Sequence, residues 1–192
     1  MSSEATAAPP RPLRADAQRN YDRILEVACD AFREHGVQTS LDDIAKRAGV
    51  GAGTLYRHFP NRDCLLAAAL GEGRQALDQV VVTCLSREDA GEALNEWLIA
   101  VAVYLGSYDG LADSVAQAIH DDSSPLGTPC TALKASTATL LKRAQEAGTV
   151  RTDVNADDLF VLASSLAWAA DSNGYDHSDL RRLLTLVTVG LR

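Results

Sequence analysis

Residues 39–62 read TSLDDIAKRAGVGAGTLYRHFPNR, from Thr39 to Arg62, and everything else in the chain is read outward from them. Thr39-Ser40 with Asp42 and Asp43 just downstream is a helix start: a hydroxyl cap with an acidic residue three positions on, a shorter relative of the capping box. It predicts a helix over 41–47 that ends at Ala48-Gly49-Val50. A second, short helix is expected from Ala52 to Phe59. Pro60-Asn61 then breaks the chain, and Asn61 is placed to cap a long fourth helix. Ile44, Ala45, Ala48, Val50 and Leu55 can pack inward, which leaves Thr54, Tyr56, Arg57 and His58 outward. A short helix offering a hydroxyl, a phenol, a guanidinium and an imidazole is equipped for phosphates and base edges in a major groove. Gly51 and Gly53 remove side chains at its start, so backbone N–H groups can approach a phosphate. Arg62 stands one residue inside the next helix, placed for another phosphate.

Upstream, Tyr21, Ile24, Leu25, Ala28, Ala31 and Phe32 recur at helical spacing over 16–34. Gly36 follows as a C-terminal residue able to take positive φ. Downstream, helices are expected near 61–85, 87–106, 109–120, 129–147, 156–172 and 179–191, with Ser86, Thr128, Asn155 and Ser178 as caps for four of them. No strand pattern of length and no internal repeat appears. The fold class is all-α, about nine helices: an N-terminal three-helix unit of helix-turn-helix (homeodomain-like) type and a C-terminal helical domain. The division is a disordered, Pro/Ala-rich tail over 1–15, a helix-turn-helix domain over 16–60 and a C-terminal domain over 61–192. Gly71 and Gly73 inside the fourth helix mark either a bend or a close packing contact, and both readings stay open.

Composition bounds the function. The chain has 192 residues and a net charge of −8. Residues 1–70 carry nine Lys/Arg and nine Asp/Glu, whereas 71–192 carry nine against seventeen, so the whole acidic excess is C-terminal. A neutral N-terminal part can present a basic face to nucleic acid while the acidic remainder is held away. No apolar run is long enough for a membrane helix, which argues against a membrane partner. Cys29, Cys64, Cys84 and Cys130 are far apart with no CxxC pair, which fits reduced thiols in a cytoplasmic protein rather than a metal framework. His120-Asp121-Asp122 lacks ligand spacing and reads as a solvated loop. The reading therefore includes neither metal nor cofactor. No nucleophile–base motif or phosphate loop is present, which argues against a helical enzyme. Arg outnumbers Lys fifteen to three, a usage that fits a GC-rich bacterial genome.

The residues Phe32, Gly36, Thr39, Ser40, Ile44, Ala45, Ala48, Gly49, Val50, Gly53, Thr54, Leu55, Tyr56, His58, Phe59, Arg62 and Leu65 follow one another in an order that closely resembles the TetR family DNA-binding domain. Arg62 departs from the family's usual Lys but keeps the charge and adds bidentate geometry. Gly51-Ala52 leaves the start of the recognition helix poor in base-reading side chains, which shifts specificity toward Arg57, His58 and DNA shape. The resemblance implies a transcriptional regulator, with a DNA-contact set of Thr39, Ser40, Gly53, Thr54, Tyr56, Arg57, His58 and Arg62. Arg11, Arg14 and Arg19 could steer the tail or first helix to the backbone or minor groove.

The resemblance also implies a homodimer on a palindromic double-stranded operator, paired through the last two helices. Phe160, Ala163, Ala167, Leu180, Leu184 and Val187 are its expected interface, with Leu183 and Leu191 alongside. A small-molecule effector of unknown identity would enter between the middle helices, where Trp97, Tyr104, Tyr108, His120 and Trp168 offer aromatic bodies with polar tips. The family expectation is a repressor released by that effector; control by a protein partner is the alternative.

Overall fold

The computed structural model describes residues 12–118 and 124–190. Arg11, His120 and Leu191 lie outside them, as does most of the expected tail. Among the described residues there are nine helices and no strand: α1 (Pro12–His35), α2 (Leu41–Arg47), α3 (Ala52–His58), α4 (Arg62–Ser86), α5 (Ala90–Leu105), α6 (Leu111–Ala118), α7 (Gly127–Glu146), α8 (Ala156–Asn173) and α9 (His177–Val189). The all-helical expectation holds. One correction concerns the tail: residues 12–15 are already helical, since Pro12 opens α1 with a φ preset for a first helical position.

Capping fixes most of the boundaries. Ser40 accepts from the Asp43 N–H, Asn61 from that of Cys64 and Asn155 from that of Asp158, as expected. Ser86, Thr128 and Ser178 are not caps. Asp89 starts α5 by accepting from Glu92 N–H, and Asp176 starts α9 by accepting from Ser178 and Asp179. In both cases a carboxylate close by in sequence takes the site, as a charged acceptor strengthens the bond to a backbone N–H. α7 opens two residues before Pro129 and has no side-chain cap.

α5 is the axis of the C-terminal body. Ala93, Leu94, Trp97, Leu98, Val101, Ala102 and Leu105 are buried on it, and it packs against α4, α7, α8 and α9. Trp97 is 1% exposed, and its indole Nε1–H donates to Thr137 Oγ1 at 2.8 Å, also fully buried. Tyr104 reaches back to α4, where its hydroxyl donates to the Leu70 carbonyl at 2.6 Å. Burial pushes the Tyr104 phenol up, so it stays a neutral donor, and it raises the thiols of Cys29, Cys84 and Cys130 likewise. All four cysteines are free. The same tyrosine separates the two helix glycines: a Cβ on Gly73 would stand 3.2 Å from Tyr104 Cε2, whereas one on Gly71 would meet nothing within 4 Å. Gly73 is therefore a packing residue, and α4 runs unbroken through both positions.

The buried indole–hydroxyl pair gives a direct test. Thr137→Val keeps the shape but strands the Trp97 N–H, a cost of about 1–3 kcal/mol. The urea midpoint should fall with the slope unchanged; an unchanged midpoint contradicts the pairing.

Candidate nucleic-acid interface

One side chain fixes α3 to the rest of the N-terminal unit. Leu55 is fully buried, and Phe59 at the helix end is 2% exposed with its N–H bonded to the Leu55 carbonyl at 2.8 Å. With Leu55 inward, Gly53, Tyr56 and Arg57 face outward, Tyr56 to 45%, while Thr54 and His58 are partly buried. Tyr21 of α1 braces the far end. Its ring lies 4.9 Å from Phe59 and 6.0 Å from His58, edge-on to the imidazole at 72°. His58 is thus held against α1, and the free face of α3 is Gly53, Thr54, Tyr56 and Arg57.

The three remaining residues of the expected DNA set shape the entrance to α2. Thr39 donates its hydroxyl to the Gly36 carbonyl at 2.8 Å, and Ser40 caps α2, keeping its O–H as a donor. Arg62 points inward to the same turn. Its Nη1 donates to the carbonyls of Val37 and of Thr39, the latter at 2.6 Å. The guanidinium therefore ties the α1–α2 turn to the start of α4.

In the C-terminal body the expected residues fall differently. Phe160, Ala163, Ala167, Leu180 and Leu184 are buried within the single chain, all at 5% exposure or less, and Val187 is partly buried. The five buried ones cannot also form a free pairing surface. Both helices are apolar on two sides, and helical periodicity does not say which side meets the chain's own core. The exposed side carries Val161, Leu162 and Trp168 on α8 and Leu186 and Val189 on α9, each at least 37% exposed. Trp168, at 51%, belongs to that surface and not to an interior pocket. Trp97 and Tyr108 are closed into the core, at 1% and 4%. A cavity of about 550 Å³ opens elsewhere, where Val103, Gly106, Ala167, Ala170, Asp171, Tyr175 and Leu180 bring together the ends of α5 and α8 and the start of α9.

Residues 24–69 match the family model for bacterial regulatory proteins of the tetR family, and residues 89–192 match that for the C-terminal domain of SbtR-like transcriptional regulators. The chain belongs to the TetR family of transcriptional regulators. It is similar to a TetR transcription regulatory protein of Mycobacterium vanbaalenii, 36% identical with a TM-score of 0.54, covering 94% of this chain and 99% of that one. HTH-type transcriptional regulators of Staphylococcus aureus are 48% identical over 54 residues, 28% of this chain and only 29% of theirs. At 19% identity the likeness to FadR of Bacillus subtilis, solved in complex with stearoyl-CoA, is one of fold: TM-score 0.65, covering 88% of this chain and 97% of that one.

As a TetR-family regulator the chain is a DNA-binding protein, not an enzyme. Sequence reasoning missed the exposed α8–α9 face, whose signal was the run of apolar residues at 161, 162 and 168 beside the buried set. It also gave Arg62 to phosphate alone. The inward guanidinium makes a distinguishing prediction. Arg62→Ala removes charged hydrogen bonds and should cost about 1.5–3 kcal/mol in stability, whereas the exposed Arg57→Ala should stay within about 0.5 kcal/mol of wild type. Denaturant unfolding of both variants checks this, and equal losses contradict it.

Proposed function

We propose that the chain is a sequence-specific repressor that binds a palindromic operator as a homodimer and is released by a small-molecule effector in the bacterial cytoplasm. The observation that carries the DNA reading is the free face of α3. Tyr56 and Arg57 serve no packing purpose, while Leu55 anchors their helix from behind. Arg57 reads bases, Thr54 and Tyr56 hold phosphates, and Gly53 lets the backbone come close; Ser40 adds its free hydroxyl donor. Thr39, His58 and Arg62 complete the set chiefly by fixing the helices that present it. Residues up to about 60 form the DNA-binding part, and those from 61 on hold the effector and the partner subunit.

Support for the homodimer comes from the apolar stripe of Val161, Leu162, Trp168, Leu186 and Val189, which a second copy would cover. For the effector it comes from the 550 Å³ cavity, whose apolar wall suits a compact organic guest. The Bacillus subtilis neighbour of the same fold was solved in complex with stearoyl-CoA, which supports a ligand-responsive reading. In this chain Asp171 and Asp176 stand at the cavity and disfavour a phosphate-bearing head group, so the guest we propose is uncharged or cationic.

Two measurements test the proposal. Leu186→Glu should sediment as a folded monomer with much weaker operator binding, whereas Leu184→Glu should disrupt the fold itself. A folded dimer for Leu186→Glu contradicts the interface. In a thermal-shift screen at fixed protein concentration, a true effector gives a saturable shift. By linkage it weakens operator binding by the factor by which DNA weakens its own binding, typically about 5–150-fold. A compound that shifts melting yet leaves operator affinity unchanged is no effector, and control would pass to a protein partner.

A further inference from the structure

The cations of the N-terminal unit sort into two groups. Arg19, Arg33 and Arg47 pair with Asp16, Asp30 and Glu34, and Arg62 is spent on backbone carbonyls. Arg23, Lys46 and Arg57 have no carboxylate or hydrogen-bond partner among the described residues and are exposed. Arg57 belongs to α3. Of the other two, Arg23 reaches over the turn that leads into it, and Lys46 stands on the helix just before that turn. Lys46 stands in the last turn of α2, where its carbonyl accepts the Gly49 N–H at 3.1 Å. Arg23 reaches the same glycine from α1: its Nη2, Cζ and Nη1 lie 3.1, 3.5 and 3.8 Å from where a Gly49 Cβ would stand.

Gly49 has φ +66, so the turn favours glycine on conformational grounds, and the bare Cα leaves room for the guanidinium to rest on it. Three acidic residues of α1 lie elsewhere: Asp22, Glu26 and Asp30 line a cavity of about 400 Å³ together with Arg33 and with Glu72 of α4. Glu34, the α1 carboxylate that meets α2, is taken by Arg47, which leaves the Arg23 guanidinium unspent at the α2–α3 turn. An arginine with five N–H donors and no acceptor among the described residues is a ready phosphate ligand.

We propose that Arg23 and Lys46 form a clamp on a DNA backbone phosphate at the α2–α3 turn, which sets the depth and register of α3 in the groove without reading sequence. The clamp rests on the DNA-binding reading above and extends it to α1, outside the recognition helix. It positions and does not specify.

The test compares wild type, Arg23→Gln, Lys46→Gln and Arg23→Lys on an operator duplex recovered by selection and on a random-sequence duplex, each over a range of salt. Each Gln variant should bind both duplexes more weakly, with the slope of log affinity against log salt reduced by about 0.9, as for one lost phosphate contact. Arg23→Lys should keep the wild-type slope, and melting temperatures should change little, since both side chains are exposed and Arg23 touches only the Gly49 turn. Wild-type slopes in both Gln variants overturn the clamp while leaving the regulator reading intact. A changed sequence preference in Arg23→Gln overturns it too, because a base contact would then be involved. If wild type retains neither duplex, the DNA reading fails and the clamp with it.

Discussion

Two turns far apart in sequence, one after α1 and one between α5 and α6, meet in backbone contact, and the placement of the DNA-binding helices depends on them. The Val37 N–H donates to the Asp109 carbonyl at 2.8 Å. The approach is tight enough that a Cβ on Gly36 would stand 2.9 Å from that carbonyl oxygen, and one on Gly110 3.2 Å from Val37 Cγ2. Both glycines have φ of +77, so the close fit and the backbone conformation ask for the same residue. On one side Arg62 fastens the Val37 and Thr39 carbonyls to α4. On the other, Gly110 N–H donates to an Asp171 carboxylate oxygen at 3.2 Å, and Asp171 lines the 550 Å³ cavity. The entrance to α2 is thereby hydrogen-bonded, through two short turns, to a wall of the proposed effector site.

That junction bears on how much was legible in the sequence. Local signals carried well. Ser40, Asn61 and Asn155 announce their helices because a cap acts within three residues of itself, and Leu55 could be placed inward from the alternation around it. Where two local candidates competed, the carboxylates Asp89 and Asp176 prevailed over Ser86 and Ser178. What the sequence could not convey was long-range. Nothing near Arg62 says that its guanidinium turns back across more than twenty residues to two carbonyls. Nothing near Gly49 says that Arg23 lies over it. The α8 residues expected at an interface were misplaced for a related reason: with apolar residues on two faces, the chain's own core against α5, α6 and α7 takes Phe160, Ala163 and Ala167 and leaves Val161 and Trp168 exposed.

The acidic excess lies beyond residue 70 in sequence, yet Glu72 and Asp109 come up against the N-terminal unit, Glu72 beside Asp22, Glu26 and Asp30 and Asp109 at the Gly36 turn. Exposed aliphatic and indole surface gathers on the last two helices, at Val161, Leu162, Trp168, Leu186 and Val189, and is accompanied by Val82 and Leu85 on α4. The Trp97–Thr137 hydrogen bond lies within the buried core around α5.

The central claim is that two α3 helices read one DNA site together. Sequencing the DNA retained by the purified protein from a random pool tests it most directly, with the stoichiometry of the recovered complex determined by sedimentation. The account predicts an enriched inverted repeat whose half-sites are centred about one helical turn apart, ~34–36 Å, or a multiple of it, with two chains or a multiple of two on each duplex. A pool that emerges without an enriched motif, or a site filled by a single chain, would contradict it.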